Sequence, residues 1–129
     1  MKLHHVVIYV TDQGKAHRFY TEVLGFQTKA DFSNGGFRWL TVVAPDDPDG
    51  CQLQLAADDH PAGKAYAQAL LAQGQPAVMF TTSDVVGDCD KIRSRGGELT
   101  LPPTDTTGSK IAKLDDGCGN LIQLTQLTW

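Results

Sequence analysis

Residues 4–12 read HHVVIYVTD and residues 76–84 read PAVMFTTSD. Each is a β-branched and aromatic run that closes on an aspartate, and the likeness extends well beyond them. At an offset of 72 residues His5 falls on Ala77, Asp12 on Asp84, Gly25 on Gly97 and Trp39 on Ile111. After a loop three residues longer in the first half the offset becomes 69, and Leu53-Gln54-Leu55 falls on Ile122-Gln123-Leu124. Identity between the halves is low, so what they share is a pattern. A twofold pattern constrains the fold more than any composition figure, because both copies must solve the same burial problem in the same way.

The unit can be read residue by residue. The runs 4–10 and 77–82 have strand composition. Thr11-Asp12 and Ser83-Asp84 supply side-chain oxygens suited to capping a helix. The next stretches, about 13–23 and 85–95, carry apolar residues at helical spacing: Ala16, Phe19, Tyr20 and Val23, then Val85, Cys89 and Ile92. Leu24-Gly25 and Gly96-Gly97 stop them. Three short strands follow in each half, about 26–32, 37–43 and 51–56, then 98–101, 109–114 and 120–126. Turn-forming stretches separate them at Asn34-Gly35-Gly36, Pro45 to Gly50 and Asp115 to Gly119. Between the halves, His60 to Gln73 reads as a linking helix. Asp59 or His60 is its cap, Pro61 opens its first turn, and Tyr66, Ala69 and Leu70 form its apolar stripe. The expected fold is therefore α+β: two β-α-β-β-β modules forming a curved mixed sheet with helices on its outer face. One domain spans 1–129, with module one about 1–57, the linking helix about 60–74 and module two about 76–129.

Bulk properties exclude several function classes. With 129 residues, 41% of them hydrophobic, the chain can bury a core without disulfides. A net charge of −4 with scattered Lys and Arg argues against a nucleic-acid partner. The loose group Lys91, Arg93 and Arg95 reads as a solvated helix face. No apolar run reaches the length of a bilayer span. MKLHHVVIYV, broken by two histidines, does not have the make-up of a signal peptide. Cys51, Cys89 and Cys118 are odd in number and far apart, which points to a reducing cytoplasm and to small buried or semi-buried roles.

Strand alternation assigns faces. Val6, Ile8 and Val10 belong against the helix, as do Leu53 and Leu55. His5, Val7 and Tyr9 then share the opposite face with Gln52 and Gln54. In module two, Ile122 and Leu124 go inward, and Ala77, Met79, Thr81 and Gln123 go opposite. Trp39, Thr41 and Ile111 join this second set. Apolar walls with a few amides and one imidazole make the lining of a small-molecule pocket. By the same parity His4 points away, His17 sits mid-helix and His60 opens the linking helix, so none shares the face of His5. Arg38, beside Trp39, is read as a surface ion pair, with contact to an anionic ligand group as the alternative.

The segments HHVVIYVTD, RFYTEVLGF (18–26), CQLQLA (51–56) and DDGCGNLIQL (115–124), arranged in this doubled unit, resemble the vicinal oxygen chelate superfamily, also called the glyoxalase, bleomycin resistance protein and dioxygenase superfamily. The resemblance covers nearly the whole chain. It implies one metal ligand on the first and last strand of each module, which here means His5, Gln54, Ala77 and Gln123. Of these only His5 is a standard ligand. Gln54 and Gln123 keep a carbonyl oxygen without the charge of a glutamate, and Ala77 has no donor. A divalent transition metal is held by three or four imidazole, carboxylate or thiolate groups. An isomerase of glyoxalase type also needs a carboxylate base, and glutamine cannot serve. No resident metal or other cofactor is therefore expected; the weak candidates are His5, Gln54 and Gln123.

The resulting expectation is a small-molecule-binding protein that takes a partly aromatic ligand against Tyr9, Trp39 and Met79. His5, Gln52, Gln54 and Gln123 would orient its polar groups. The resemblance also implies a homodimer. Two alternatives stay open at this level: a glyoxalase-type lyase or isomerase using a weakly bound divalent metal at His5, and an interaction module whose sheet face a partner fills.

Overall fold

The computed structural model describes residues 1–129. Module one runs β1 (His5–Val10), α1 (Gln13–Arg18) continued by one π-helical turn (Phe19–Val23), β2 (Gln27–Asn34), β3 (Phe37–Val43) and β4 (Gln52–Ala57). The linking helix is α2 (Pro61–Ala72). Module two runs β5 (Val78–Thr81), α3 (Val85–Ser94), β6 (Leu99–Thr106), β7 (Ser109–Asp115) and β8 (Leu121–Leu127). No helix is long and apolar enough to cross a membrane.

Aspartates start the first helix of each module in the same way. Asp12 accepts from the Lys15 backbone N–H at 3.0 Å and Asp84 from that of Gly87 at 3.0 Å. Such a cap contributes about 1 kcal/mol by satisfying a helix-end donor. Gly25 at φ +86° and Gly96 at φ +92° end the helical stretches, in a region that an L side chain rarely adopts.

The strands form two four-stranded mixed sheets, one per module, in the orders β1-β4-β3-β2 and β5-β8-β7-β6. In each, the first strand runs parallel to the last, His5 opposite Gln52 and Val78 opposite Ile122. The remaining neighbours are antiparallel. The helix-side residues of both sheets meet in one core of 16 buried side chains, including Ile8, Val10, Leu40, Leu55, Ile92, Leu114 and Ile122. Truncating one of the larger of these to alanine costs about 2–5 kcal/mol. Phe26 of module one packs edge-on to Phe80 of module two at 4.9 Å, across the same boundary.

Several expectations are corrected. The first helix does not stay α-helical to residue 23. After Arg18 it widens, and the Leu24 N–H reaches back five residues to Phe19 O at 3.1 Å. The extra residue per turn seats Tyr20 fully inside the core. Strand β6 continues through Pro102-Pro103, because it is an edge strand whose pairing breaks register there. On α2 the buried line is Gly63 with partly buried Ala67 and Leu70, while Tyr66 stays 56% exposed and Ala69 is exposed. The helix rests on β1 through the glycine, which keeps Leu70 of the expected stripe inward and turns Tyr66 and Ala69 outward. Cys51 is exposed; Cys89 and Cys118 are buried. His4 does not point away from His5: the two Nδ1 atoms lie 2.9 Å apart.

Candidate functional site

The site begins where β3 leaves β4. Strand β4 pairs with β1 along its whole length, but with β3 only at Thr41 opposite Gln54 and Val42 opposite Leu53. Toward its start β3 keeps β2 as partner, Phe32 facing Trp39, and separates from β4. Strand carbonyls at such a split need donors. Gln13, the first residue of α1, supplies them: its Nε2 donates to Arg38 O at 3.0 Å and to Leu55 O at 2.9 Å, one carbonyl from each diverging strand. One amide thus takes the place of the missing ladder and holds the gap.

The gap opens as a cleft of about 240 Å³. Val7, Tyr9, Phe37, Gln54, Ala56 and His60 line it, with Arg38 and Asp59 also bordering it. Ligand sites commonly start at about 300 Å³, so the cleft suits a small compound or one end of a larger one.

Three polar side chains converge on this cleft. Gln54 is only 8% exposed, yet its carboxamide makes no hydrogen bond to the rest of the protein. No side-chain nitrogen or oxygen sealed from solvent lacks a partner, so the polar end of Gln54 opens onto the cleft. His60 caps α2 by accepting the Gly63 N–H on Nδ1 at 3.1 Å, which leaves Nε2 as the donor of the neutral ring. Tyr9 stands edge-on to His60, ring centroids 5.2 Å apart. Gly63 permits this contact. A Cβ there would lie 2.8 Å from two carbons of the Tyr9 ring and 2.9 Å from His60 Cε1.

The charged border is already committed on one side. Arg38 Nε and Nη2 each bind the Asp31 carboxylate at 2.9 Å. The guanidinium holds the Asp31 carboxyl below its usual range, and Asp31 in turn raises Arg38. The reading of Arg38 as an ion pair therefore holds. Elsewhere, a recess of about 540 Å³ borders Lys15 and Asp116, and one of about 130 Å³ borders Lys91 and Arg95. Asp116 is paired with Tyr20 and Asp88 with Thr82, while Glu98 also borders the larger recess. Burial pushes the Cys118 thiol up to about 11, helped by the Asp116 carboxylate, and burial raises Cys89 as well. Neither thiol is set up as a nucleophile.

Of the residues expected from sequence, Tyr9 and Gln54 meet in the cleft. His5, Trp39 and Gln52 belong to the same sheet but lie outside it: His5 is edge-on to Trp39 at 5.4 Å, and Gln52 Oε1 accepts from Thr41 Oγ1 at 2.8 Å. Met79 and Gln123 sit opposite each other on the second sheet. Met79 is 62% exposed, and Gln123 Nε2 donates to Thr125 Oγ1 at 3.1 Å. Gln13, Asp59 and His60 complete the cleft and were not expected there. His60 was visible as a cap, and its second role needs the packing of α2. Nothing local marks Gln13.

The family's metal positions do not converge on a donor set in one chain. His5 lies against His4 and Trp39, Gln123 is bonded on the other sheet, and Ala77 carries a methyl group. No three His, Cys, Asp or Glu side chains come together in a metal-holding group. The residues present do not fit a resident divalent ion of the family's kind.

Comparison with known proteins agrees with this architecture. The chain is 44% identical over 126 residues to the uncharacterized protein YurT of Bacillus subtilis, covering 98% of this chain and 99% of that one. It is 25% identical over 130 residues to a probable lactoylglutathione lyase of Vibrio cholerae, covering 95% and 88%. Among solved structures, TnmS3, an antibiotic binding protein from Streptomyces sp. CB03234, superposes with a TM-score of 0.79 at 28% identity, covering 99% of this chain and 97% of that one. Residues 2–124 match the pattern of one family throughout, and the chain belongs to the Glyoxalase/Bleomycin resistance protein/Dioxygenase superfamily.

Proposed function

We propose that this chain is a small-molecule-binding protein of the glyoxalase/bleomycin resistance type, which takes a partly aromatic ligand into the β1-β3-β4 cleft without strong dependence on a metal. The observation that carries this reading is Gln54, buried and unbonded, with its amide open to a cleft walled by Tyr9, Phe37 and His60. The amide is open to the cleft, so a ligand seated there must replace its water with hydrogen bonds, and one that cannot loses about 1–3 kcal/mol. Flat side walls favour ring stacking or edge contacts. The antibiotic-binding neighbour supports the same class of function. The reading includes a homodimer, since Val7, Phe32, Phe37 and Met79 are large apolar residues left exposed in the single chain. It also includes a cytoplasmic setting, in keeping with three unpaired cysteines.

The test is a thermal-shift and calorimetric screen of aromatic and heterocyclic compounds in EDTA. Binding that survives EDTA, is weakened in Gln54→Leu and is lost in Tyr9→Ala is expected. Binding only after a divalent ion is added back would overturn the metal-independent reading.

The similarity to probable lactoylglutathione lyases supports a second reading, a lyase or isomerase with a weakly held ion at His5. Elemental analysis of protein purified without a histidine tag separates the two. Near one Ni, Zn, Co, Mn or Fe per chain, lost in His5→Ala, would favour the enzyme.

A further inference from the structure

We infer that the ligand presents a neutral hydrogen-bonding edge, a donor and an acceptor side by side as in a lactam, imide or primary amide, and that Gln54 reads it. This rests on the cleft being the binding site and adds the chemical class of what binds there.

The side chain of Gln54 has no hydrogen-bond partner within the sheet. Its neighbours across the sheet are Val7 on β1 and Thr41 on β3. Val7 offers no polar atom, and the Thr41 hydroxyl is already given to Gln52. Backbone groups nearby are taken too, because Gln13 occupies the carbonyls of Leu55 and Arg38. Gln54 therefore faces the cleft with one carbonyl acceptor and two N–H donors on adjacent atoms. The partner that satisfies both atoms in one plane is a mirror of the same arrangement, an N–H beside a C=O. Glutamine pairs with the N–H and ring nitrogen of adenine by the same two-point geometry.

Charge narrows the class further. A carboxylate or phosphate ligand needs a free cation, and the cleft has none: the Arg38 guanidinium is bound through two nitrogens to Asp31. Asp59 borders the cleft and adds negative charge on its rim. An anionic ligand would meet that carboxylate with nothing to offset it, which rules against a carboxylate or phosphate edge and leaves the neutral amide edge that matches Gln54. The donor on His60 Nε2 fits a second carbonyl of such a ring.

The experiment uses the full chain in EDTA and three matched probes: quinolin-2-one, its N-methyl derivative and 2-naphthoate. Affinities come from calorimetry, and the place of binding from NMR shifts of Tyr9 and His60. The lactam is expected to bind at least tenfold more tightly than the N-methyl compound, and 2-naphthoate more weakly than either. Gln54→Leu should erase the difference between the lactam and its N-methyl derivative, and Gln54→Glu should lower lactam affinity while leaving the fold intact by circular dichroism. Equal affinity for the two lactams, with Tyr9 and His60 shifting, overturns the edge reading and leaves the cleft standing. Preference for 2-naphthoate overturns the neutral class. No shift of Tyr9 or His60 with any probe overturns the edge reading together with the cleft as the site.

Discussion

Tyr20 of module one donates its hydroxyl to Asp116 of module two at 2.8 Å, and both side chains are buried. The same carboxylate accepts the backbone N–H groups of Cys118 and Asn120 at 2.7 and 3.0 Å, and the Asn120 amide at 3.0 Å. Asn120 then reaches back to Tyr9 O in β1 at 2.9 Å. The turn between β7 and β8 is thereby tied to both the helix and the first strand of the other module. The π-helical turn is the local departure that brings Tyr20 to this bond.

Tyr20→Phe removes the bond and leaves one Asp116 oxygen with a single donor. A hydrogen bond to a charged group is worth about 1.5–3 kcal/mol, and that loss is expected in urea unfolding at pH 7. Burial, and then the Asp116 carboxylate, hold the Tyr20 phenol well above its usual range. A raised folded value means the contribution is whole below about pH 10, where the unfolded phenol titrates, and declines as pH rises further. Wild-type stability should therefore fall more steeply than that of Tyr20→Phe above that pH. Parallel curves would contradict the assignment.

Asp31 carries the opposite sign. Hydrogen bonds from Arg38 lower its folded value, so its contribution is present above the usual carboxylate range and disappears as pH falls through the lowered value. The pair sits at the surface with both side chains about a third exposed, and solvent screening limits it to about 0.2–1 kcal/mol. Asp31→Asn should cost that much at pH 7 and progressively less as pH falls below the usual carboxylate range, by urea midpoints. It also frees a guanidinium beside the cleft. The same variant should therefore gain affinity for anionic aromatic probes such as 2-naphthoate, read by calorimetry.

Much of the architecture was legible because its causes are local. Asp12 and Asp84 cap within three residues, Gly25 and Gly96 stop helices by their own backbone freedom, and alternation names Ile8 and Val10 as the buried face of β1, although Val6, expected with them, is exposed at the start of the strand where the core has not yet begun. Tyr9 and Gln54 were found by the same parity. The missing part of the site depends on contacts distant in sequence. Gln13 acts on carbonyls 25 and 42 residues away, and no pattern around it predicts that. His60 becomes a wall only because Gly63 lets α2 approach Tyr9. Met79 and Gln123 have the right parity, but parity cannot say that the two modules carry separate sheets.

Gln13→Leu should reveal what holds the cleft open. The substitution is close in volume, and it strips two strand carbonyls of their donor. Each unsatisfied group costs about 1–3 kcal/mol if it stays dry. Stability should drop within that range, and amide exchange across Phe37–Leu40 should quicken relative to Thr41 and Val42, which keep their partners on β4. Uniform exchange along β3 would show that the split is held by something other than this amide.

Gly63→Ala separates the helix from the site. Alanine is a better helix former than glycine by at most roughly 1 kcal/mol, and Gly63 lies in the first turn of α2, so the helix itself gains no more than that. Its Cβ would nevertheless stand 2.8 Å from Tyr9 Cδ1 and Cε1, closer than van der Waals contact allows. The ring has open cleft on its far side and moves there, filling the space that a ligand needs. The melting temperature should shift by only a few degrees, about what 1 kcal/mol produces in a domain of this size. Affinity for any probe that shifts Tyr9 should fall at least tenfold. Adding Tyr9→Ala removes the clash, so in that background the alanine at 63 should no longer weaken binding, a coupling that distant sites do not show. If Gly63→Ala binds as tightly as wild type and the Tyr9 ring resonances stay in place, α2 does not press on the cleft and His60 is a cap alone.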